Sequence, residues 1–300
     1  MDVRIKEVLD TAGKYDLELA ADSLEFVDMG LDFQVVFAED GSKQDWVLRL
    51  PRRKDVFEKT GLEKNVLDFI ATSQNTFEVP FWEIFEEDLI AYQKLENAPA
   101  VTTIADTGEE NWVFKKEAVP ENYVRSFGQS LAALHGISVD QACKTGMTVY
   151  TGEEIRISMK SRMDKVNSNF EVSEKLWDKW MCWVENDKIW PEKTAVIHGD
   201  LFPGHTLIDS DHHVTGIIDW TEAKVSDPAN DFTAFYLLFG EDKLDELIGC
   251  YREAGGYIWT GIKTHIIALL DTQAITIAEF AESSGLEEYR KMAEEMLGQK

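Results

Sequence analysis

Residues 198–205 read His-Gly-Asp-Leu-Phe-Pro-Gly-His, and shortly afterwards the chain reads Ile217-Ile218-Asp219-Trp220. That order supplies a lone carboxylate (Asp200), a second side chain able to bind metal (His205) and a second carboxylate (Asp219). Phosphoryl transfer calls for these parts. One carboxylate orients an incoming hydroxyl and accepts its proton late, while other groups hold a cation that neutralises polyphosphate charge. Asp200 is therefore the expected base; the alternative is an aspartate that caps a loop by accepting from backbone amides. Asp219 follows an apolar strand and precedes a tryptophan, a poor place for a carboxylate without a purpose. His198 and Asp231 are expected to support the loop by hydrogen bonds, or to be satisfied buried polar groups.

Several elements must hold these residues. Arg4 to Tyr15 has apolar side chains at helical spacing. Leu24–Val27, Gln34–Ala38 and Trp46–Leu50 read as strands separated by Gly30 and Asp40-Gly41, and Pro51 stops the third. A helix is expected over Glu58 to Ala71, and two more strands near Trp82–Phe85 and Leu89–Tyr92. Asn97-Ala98-Pro99-Ala100 reads as a connector, after which the texture becomes helical. The candidates there are Tyr123–His135, Gly152–Phe170, Ser173–Asn186, Asp231–Phe239, Lys243–Ala254, Thr264–Ser283 and Glu287–Leu297. Strands at Thr194–Ile197 and His213–Ile218 bracket the Asp200 loop and are expected to form a stiff, hairpin-like platform. A strand-rich part followed by a helical part is an α+β arrangement, with the boundary expected near residue 98, giving units 1–98 and 99–300.

The chain has 300 residues, 44% of them hydrophobic, enough for two separate cores. Its formal net charge of −26 disfavours nucleic acid as a partner and suits a cationic ligand, although acidic surfaces also serve solubility alone. The first residues lack the apolar core of a signal peptide, and no apolar run is long enough to span a bilayer, so a cytoplasmic protein with no membrane partner is expected. Cys143, Cys182 and Cys250 are widely spaced and read as reduced thiols. The acidic balance is compatible with a monomer.

The loop from His198 to His205 is similar to the protein-kinase catalytic loop H-R-D-x-x-x-x-N, with His205 at the Asn position and Asp219-Trp220 where D-F-G begins. The whole chain resembles the antibiotic phosphotransferases of the protein-kinase-like fold, and among them the macrolide 2′-phosphotransferases. Gly30-Leu31-Asp32-Phe33, Trp46 to Arg53, His198-Gly199-Asp200, Gly216 to Trp220, Glu222-Ala223 with Asp227-Pro228-Ala229, Phe239-Gly240-Glu241 and Glu253 to Gly256 carry the resemblance in order. It implies a bilobal kinase-like fold, with a small strand-rich N-lobe and a larger, mainly helical C-lobe. It also implies transfer of a nucleotide's γ-phosphate to the 2′-hydroxyl of a macrolide amino sugar, conferring resistance.

On this resemblance His205 and Asp219 hold Mg²⁺, histidine being an unexpected replacement for an oxygen ligand. Arg49 takes the place of the phosphate-binding lysine, with Glu63 as its ion-pair partner; the alternative is a surface arginine grouped with Arg52 and Arg53. The segment around Gly30 lies over the nucleotide, or is a plain hairpin turn. Residues 92–97, including Tyr92 and Lys94, form the hinge that reads the purine. GTP is the implied donor, with ATP left open. Phe202, Tyr236, Ala274, Ala278 and Ala281 are candidates for an apolar wall against the lactone ring, an alanine stripe being also a sign of close helix packing. Other readings are an aminoglycoside or small-alcohol kinase, a silent kinase-like binding protein, and a metallohydrolase built on His198, Asp200, His205, His212 and His213.

Overall fold

A computed structural model describes residues 2–27, 32–104 and 107–298, with the side chains of Lys54 and Lys59 left out. The fold is α+β, with a strand-rich N-terminal sheet and a helical C-terminal part. Two compact units share the chain. The first comprises 1–114, 144–146 and 203–221, and the second comprises 115–143, 147–202 and 222–300. The chain thus leaves the second unit between Phe202 and Pro203 and re-enters it after Thr221, so His205 and Asp219 group with the N-terminal residues and not with the C-terminal helices.

The first unit opens with helix α1 (Val3–Gly13), capped by the Asp2 carboxylate accepting from the Arg4 amide. An antiparallel sheet follows, built from β1 (Glu25–Val27), β2 (Phe33–Glu39), β3 (Asp45–Pro51), β4 (Ile84–Glu86) and β5 (Leu89–Gln93) in the order β1-β2-β3-β5-β4. Alternation decides its two faces. Val36, Ala38, Trp46, Leu48, Leu89 and Ala91 join Val8, Ala12 and Leu17 in one buried core. The intervening residues of β3, Val47 and Arg49, therefore point to the opposite face. Pro51 ends β3 while still paired with Phe33. Helix α2 (Lys54–Ser73) starts a turn earlier than its apolar pattern suggests.

Three features of the first unit left little trace in the sequence. The connector contains β6 (Ala98–Pro99), followed by the short ladder of β7 (Val101–Thr103) with β8 (Glu110–Trp112). β10 (Thr206–Ile208) pairs with β6 on one side and with β11 (Val214–Ile217) on the other. The expected platform of Thr194–Ile197 with His213–Ile218 does not form. Instead β11 pairs with β10, and β9 (Ala195–Ile197) pairs with β12 (Lys224–Ser226) in the second unit. Two ladders hold the two ends of the loop, because strand partners are chosen by registers across the chain that short apolar runs do not encode.

In the second unit α3 (Glu121–His135) packs on α7 (Asn230–Glu253), and α5 (Gly152–Asn169) follows a capping box between Thr151 and Glu154. α7 covers both helices expected at 231–239 and 243–254; its turns are broken at Gly240, with φ 80° and ψ −175°. The helix expected over Thr264–Ser283 is two helices, α8 (Ile262–Asp271) and α9 (Gln273–Ser284). They divide at Thr272, whose amide and hydroxyl both donate to the Leu269 carbonyl and tighten the turn. A short α4 (Val139–Ala142), α6 (Glu174–Val184) and α10 (Glu287–Met296) complete the elements used below.

Candidate active site

In the first unit, one sheet face gathers the expected nucleotide residues. Arg49 stands opposite Val35 and Ile90, and Tyr92 opposite Val47, so these side chains share a face. The Arg49 guanidinium meets Glu63 of α2 through two bonds, Nη1 to Oε1 at 2.7 Å and Nη2 to Oε2 at 3.3 Å. It also lies over the rings of Phe33 (4.4 Å) and Trp82 (5.2 Å). Only 16% of the Arg49 side chain and 10% of Glu63 are exposed, which excludes a surface arginine in a basic patch. Burial opposes the charge on Arg49, but Glu63 outweighs it and raises the guanidinium's pKa. The Glu63 bonds occupy one hydrogen on each terminal nitrogen, leaving the outer N–H groups and Nε–H for an anion.

Tyr92 is pushed up to about 12 by burial, with Glu63 and Asp219 adding to the effect. Lys94 carries its ammonium over the Phe37 ring at 5.3 Å, and its amide donates to the Asp45 carbonyl at 2.8 Å. That amide is already committed and does not read a purine. Gly30 lies outside the described residues.

His205 and Asp219 come together in the same unit. His205 ends a 3₁₀ turn over 203–205, and its carbonyl accepts from the Ile218 amide at 3.0 Å. Its Nε2 lies 3.5 Å from Asp219 Oδ2, with the carboxylate half exposed. The far edge of β11 is fixed by Glu78, whose amide donates to Thr215 and whose carbonyl accepts from Ile217. Trp220 is buried, donates to the Ile217 carbonyl and stacks on Phe77. Asp219 itself has φ 64°, a left-handed conformation uncommon for a non-glycine residue though one that aspartate tolerates better than most. The Thr221 hydroxyl orients Oδ1 at 2.9 Å.

Mg²⁺ is the ion that these donors would have to suit. The ion takes oxygen ligands, typically one or two carboxylates completed by water and substrate phosphate, and the half-exposed, oriented Asp219 carboxylate fits that requirement. His205 adds a nitrogen donor beside it. Among the described residues no group of three His, Cys, Asp or Glu side chains is placed to hold a metal. The metallohydrolase grouping also fails on specific contacts. His198 is fully buried, His212 packs edge-on against Phe114, and His213 pairs with Asp209 in a tight turn.

In the second unit the loop after β9 is anchored from beneath. Asp231, fully buried in the first turn of α7, accepts from the His198 amide (2.9 Å, Oδ2) and the Gly199 amide (2.9 Å, Oδ1). Its Oδ2 also faces His135 Nε2 at 3.2 Å, and His135 Nδ1 meets the Tyr251 hydroxyl at 3.0 Å. Burial works to raise the Asp231 pKa, but the bond and charge of His135, with the Gly199 amide, hold it below the usual carboxylate value. Gly199 has φ 86°, and a Cβ there would stand 2.5 Å from the Glu222 carbonyl oxygen, so only glycine fits. The imidazole of His198 accepts the Asp200 amide at 3.3 Å, and the Asp200 side chain is exposed. A carboxylate on a fixed backbone, open to solvent, can meet a hydroxyl.

The apolar-wall candidates divide. Phe202 and Tyr236 are partly exposed. Ala274, Ala278 and Ala281 are buried on α9, which packs with α10 and α5, so helix packing accounts for that stripe. His135 and Tyr251 were missed in the sequence, where a lone histidine at a helix end gives no hint of its partner.

The model of a family described as "Phosphotransferase enzyme family" matches residues 23–265. The chain belongs to this family. Two solved phosphotransferases are similar over nearly the whole chain. The macrolide 2′-phosphotransferase MphH from Brachybacterium faecium has a TM-score of 0.91 at 32% identity, covering 99% of this chain and 98% of its own. The macrolide 2′-phosphotransferase type I has a TM-score of 0.86 at 35% identity, covering 99% and 97%. This phosphotransferase therefore has the fold of the macrolide 2′-phosphotransferases. The protein YcbJ of Bacillus subtilis (strain 168) is 37% identical over 98% of this chain and 96% of its own. Viomycin phosphotransferase of Streptomyces vinaceus is 35% identical over 32% of this chain and 33% of its own.

Proposed function

We propose that this phosphotransferase moves the γ-phosphate of GTP, or of ATP, to the 2′-hydroxyl of the amino sugar of a macrolide antibiotic. The observation that carries the reading is the full-length likeness to two macrolide 2′-phosphotransferases at 32% and 35% identity. Asp200 orients the hydroxyl and accepts its proton as the phosphoryl group arrives. Asp231, through the His198 and Gly199 amides, fixes the backbone from which Asp200 projects. Arg49, oriented by Glu63, Phe33 and Trp82, turns its remaining N–H groups to phosphate oxygens. Tyr92 and Lys94, on the same sheet face, border the purine. Asp219 and His205 hold Mg²⁺ when it is bound, and the ion supplies neutralisation of phosphate charge.

The acceptor's protonated dimethylamino group suits an acidic protein, and Phe202 with Tyr236 offers apolar surface for its lactone ring. Transfer from GTP or ATP to erythromycin, read as a mono-phosphate mass shift, tests the assignment; no shift on any macrolide discards it. An aminoglycoside or another small alcohol is the second acceptor class, favoured by the net charge of −26, which suits a polycation. A mass-shift screen over both classes separates them.

A further inference from the structure

The Asp231 anchor rests on a second buried network that touches neither the loop nor any expected ligand residue. Asp227 closes the segment between β12 and α7. Its Oδ1 accepts from the Ala229 amide at 2.9 Å, and its carbonyl accepts from the Asn230 amide (3.2 Å) and side-chain Nδ2 (2.9 Å). Its Oδ2 lies 2.5 Å from Nε2 of His265 on α8, and both side chains are fully buried. The other ring nitrogen, His265 Nδ1, accepts from the Trp183 indole N–H of α6 at 2.9 Å. An imidazole nitrogen that accepts carries no hydrogen, so Nε2 is the donor and Asp227 the acceptor.

The ring has little freedom to turn. Trp190 stands edge-on to it at 4.6 Å, stacks on Trp183 at 4.8 Å and donates to the Trp183 carbonyl at 3.1 Å. Trp259 also stands edge-on to it at 6.0 Å. A rigid, oriented donor therefore pins the Asp227 carboxylate, and a hydrogen bond in so dry a site is stronger than one in water.

What Asp227 controls is the start of α7. Asp231 follows four residues later, in the first turn of that helix, and holds the His198 and Gly199 amides. On the other side, Asp227 directly follows β12, which pairs with β9, the strand that leads into the same loop. Asp227 thus lies where the strand beside the loop passes into the helix beneath it, and its carboxylate fixes the turn between them.

We propose that His265, oriented by Trp183, is a positioning residue for the Asp200 loop: its Nε2–H holds Asp227 and thereby sets where Asp231 meets the backbone of His198 and Gly199. The kinetic half of its test rests on the macrolide reading above; the exchange half does not.

Two substitutions divide the two ring nitrogens. His265→Gln keeps an N–H near the Nε2 position, whereas His265→Asn keeps an acceptor near Nδ1 and loses the donor to Asp227. Both disturb packing among the tryptophans, so a merely structural role moves both alike. Amide hydrogen exchange of the full chain is read over a peptide spanning 195–202, beside kcat and nucleotide KM for macrolide phosphorylation. The expected result is exchange in His265→Asn about tenfold faster than in His265→Gln at equal thermal stability, the size of one net hydrogen bond. The same variant is expected to lose roughly 10- to 100-fold in kcat with KM for the nucleotide unchanged, as a displaced base does.

Asp227→Asn is the second variant, for use if neither His265 variant folds. Its single oxygen cannot accept from both Ala229 and His265, so it is expected to loosen the same peptide. Equal exchange in His265→Asn and His265→Gln, or wild-type exchange in Asp227→Asn, overturns the proposal. Absence of turnover on any macrolide with the exchange pattern intact overturns only the acceptor assignment.

Discussion

Replacing Asp231 with asparagine probes the anchor most sharply, because it changes one atom and leaves the shape intact. Oδ2 accepts from the His198 amide at 2.9 Å and faces His135 Nε2 at 3.2 Å, while Oδ1 accepts from Gly199. An amide nitrogen at the Oδ2 position sets a donor against donors; flipping the group transfers the conflict to Gly199. At least one buried N–H is left unsatisfied, which costs about 1–3 kcal/mol, more where a charged acceptor is lost. Taking about 3 kcal/mol, and about 2 °C per kcal/mol for a chain this long, the midpoint of thermal unfolding should fall by roughly 6 °C.

The pH dependence of that loss carries a sign. Asp231 is held below its ordinary value in the folded chain, so the unfolded chain is the first to bind a proton as pH falls. The stabilisation is complete above the unfolded value of about 3.9 and disappears as pH drops through the native value. The stability gap between wild type and Asp231→Asn should be constant from neutral pH to about pH 5 and narrow below about pH 4. Urea titrations at a series of pH values measure it. A midpoint within about 1 °C of wild type, or a gap that widens on acidification, refutes the reasoning.

Other substitutions address the remaining parts. Arg49→Lys keeps the charge but loses the two-point grip on Glu63 and the planar fit between Phe33 and Trp82; nucleotide KM should rise by roughly tenfold with a smaller change in kcat, read by initial rates. Gly199→Ala forces a Cβ to 2.5 Å from the Glu222 carbonyl oxygen, so kcat should fall by roughly 100-fold while nucleotide affinity, measured by calorimetry, holds. Gly240→Ala meets no neighbouring atom, yet its φ of 80° and ψ of −175° lie where only glycine is at ease. It should lower stability by about 1–3 kcal/mol in a denaturant titration.

The sequence made the chemistry-bearing residues easier to read than their supports. Asp219 stood out because a carboxylate between an apolar strand and a tryptophan has few uses, and Asp200 because it stands in the order of groups that phosphoryl transfer needs. The Arg49–Glu63 contact was implied by the family resemblance, not by the residues themselves. Harder to read were β6 to β8, β10 and β12, each two or three residues long, since a run that short has no period to detect. The pairing of β9 with β12 depends on residues nearly thirty positions apart. The buried networks around His135 and His265 were invisible for a related reason: their partners lie 96 and 38 positions away in sequence. The alanines of α9 show the opposite failure, a regular stripe that fits a ligand face and a helix interface equally well until burial decides.

The most direct test of the central claim is mass spectrometry of erythromycin incubated with the protein, Mg²⁺ and either GTP or ATP, beside an Asp200→Ala control. The account predicts a mono-phosphate product with at least one nucleotide and none in the control. No product with either nucleotide contradicts the macrolide assignment, and product formation undiminished in Asp200→Ala contradicts the role given to Asp200.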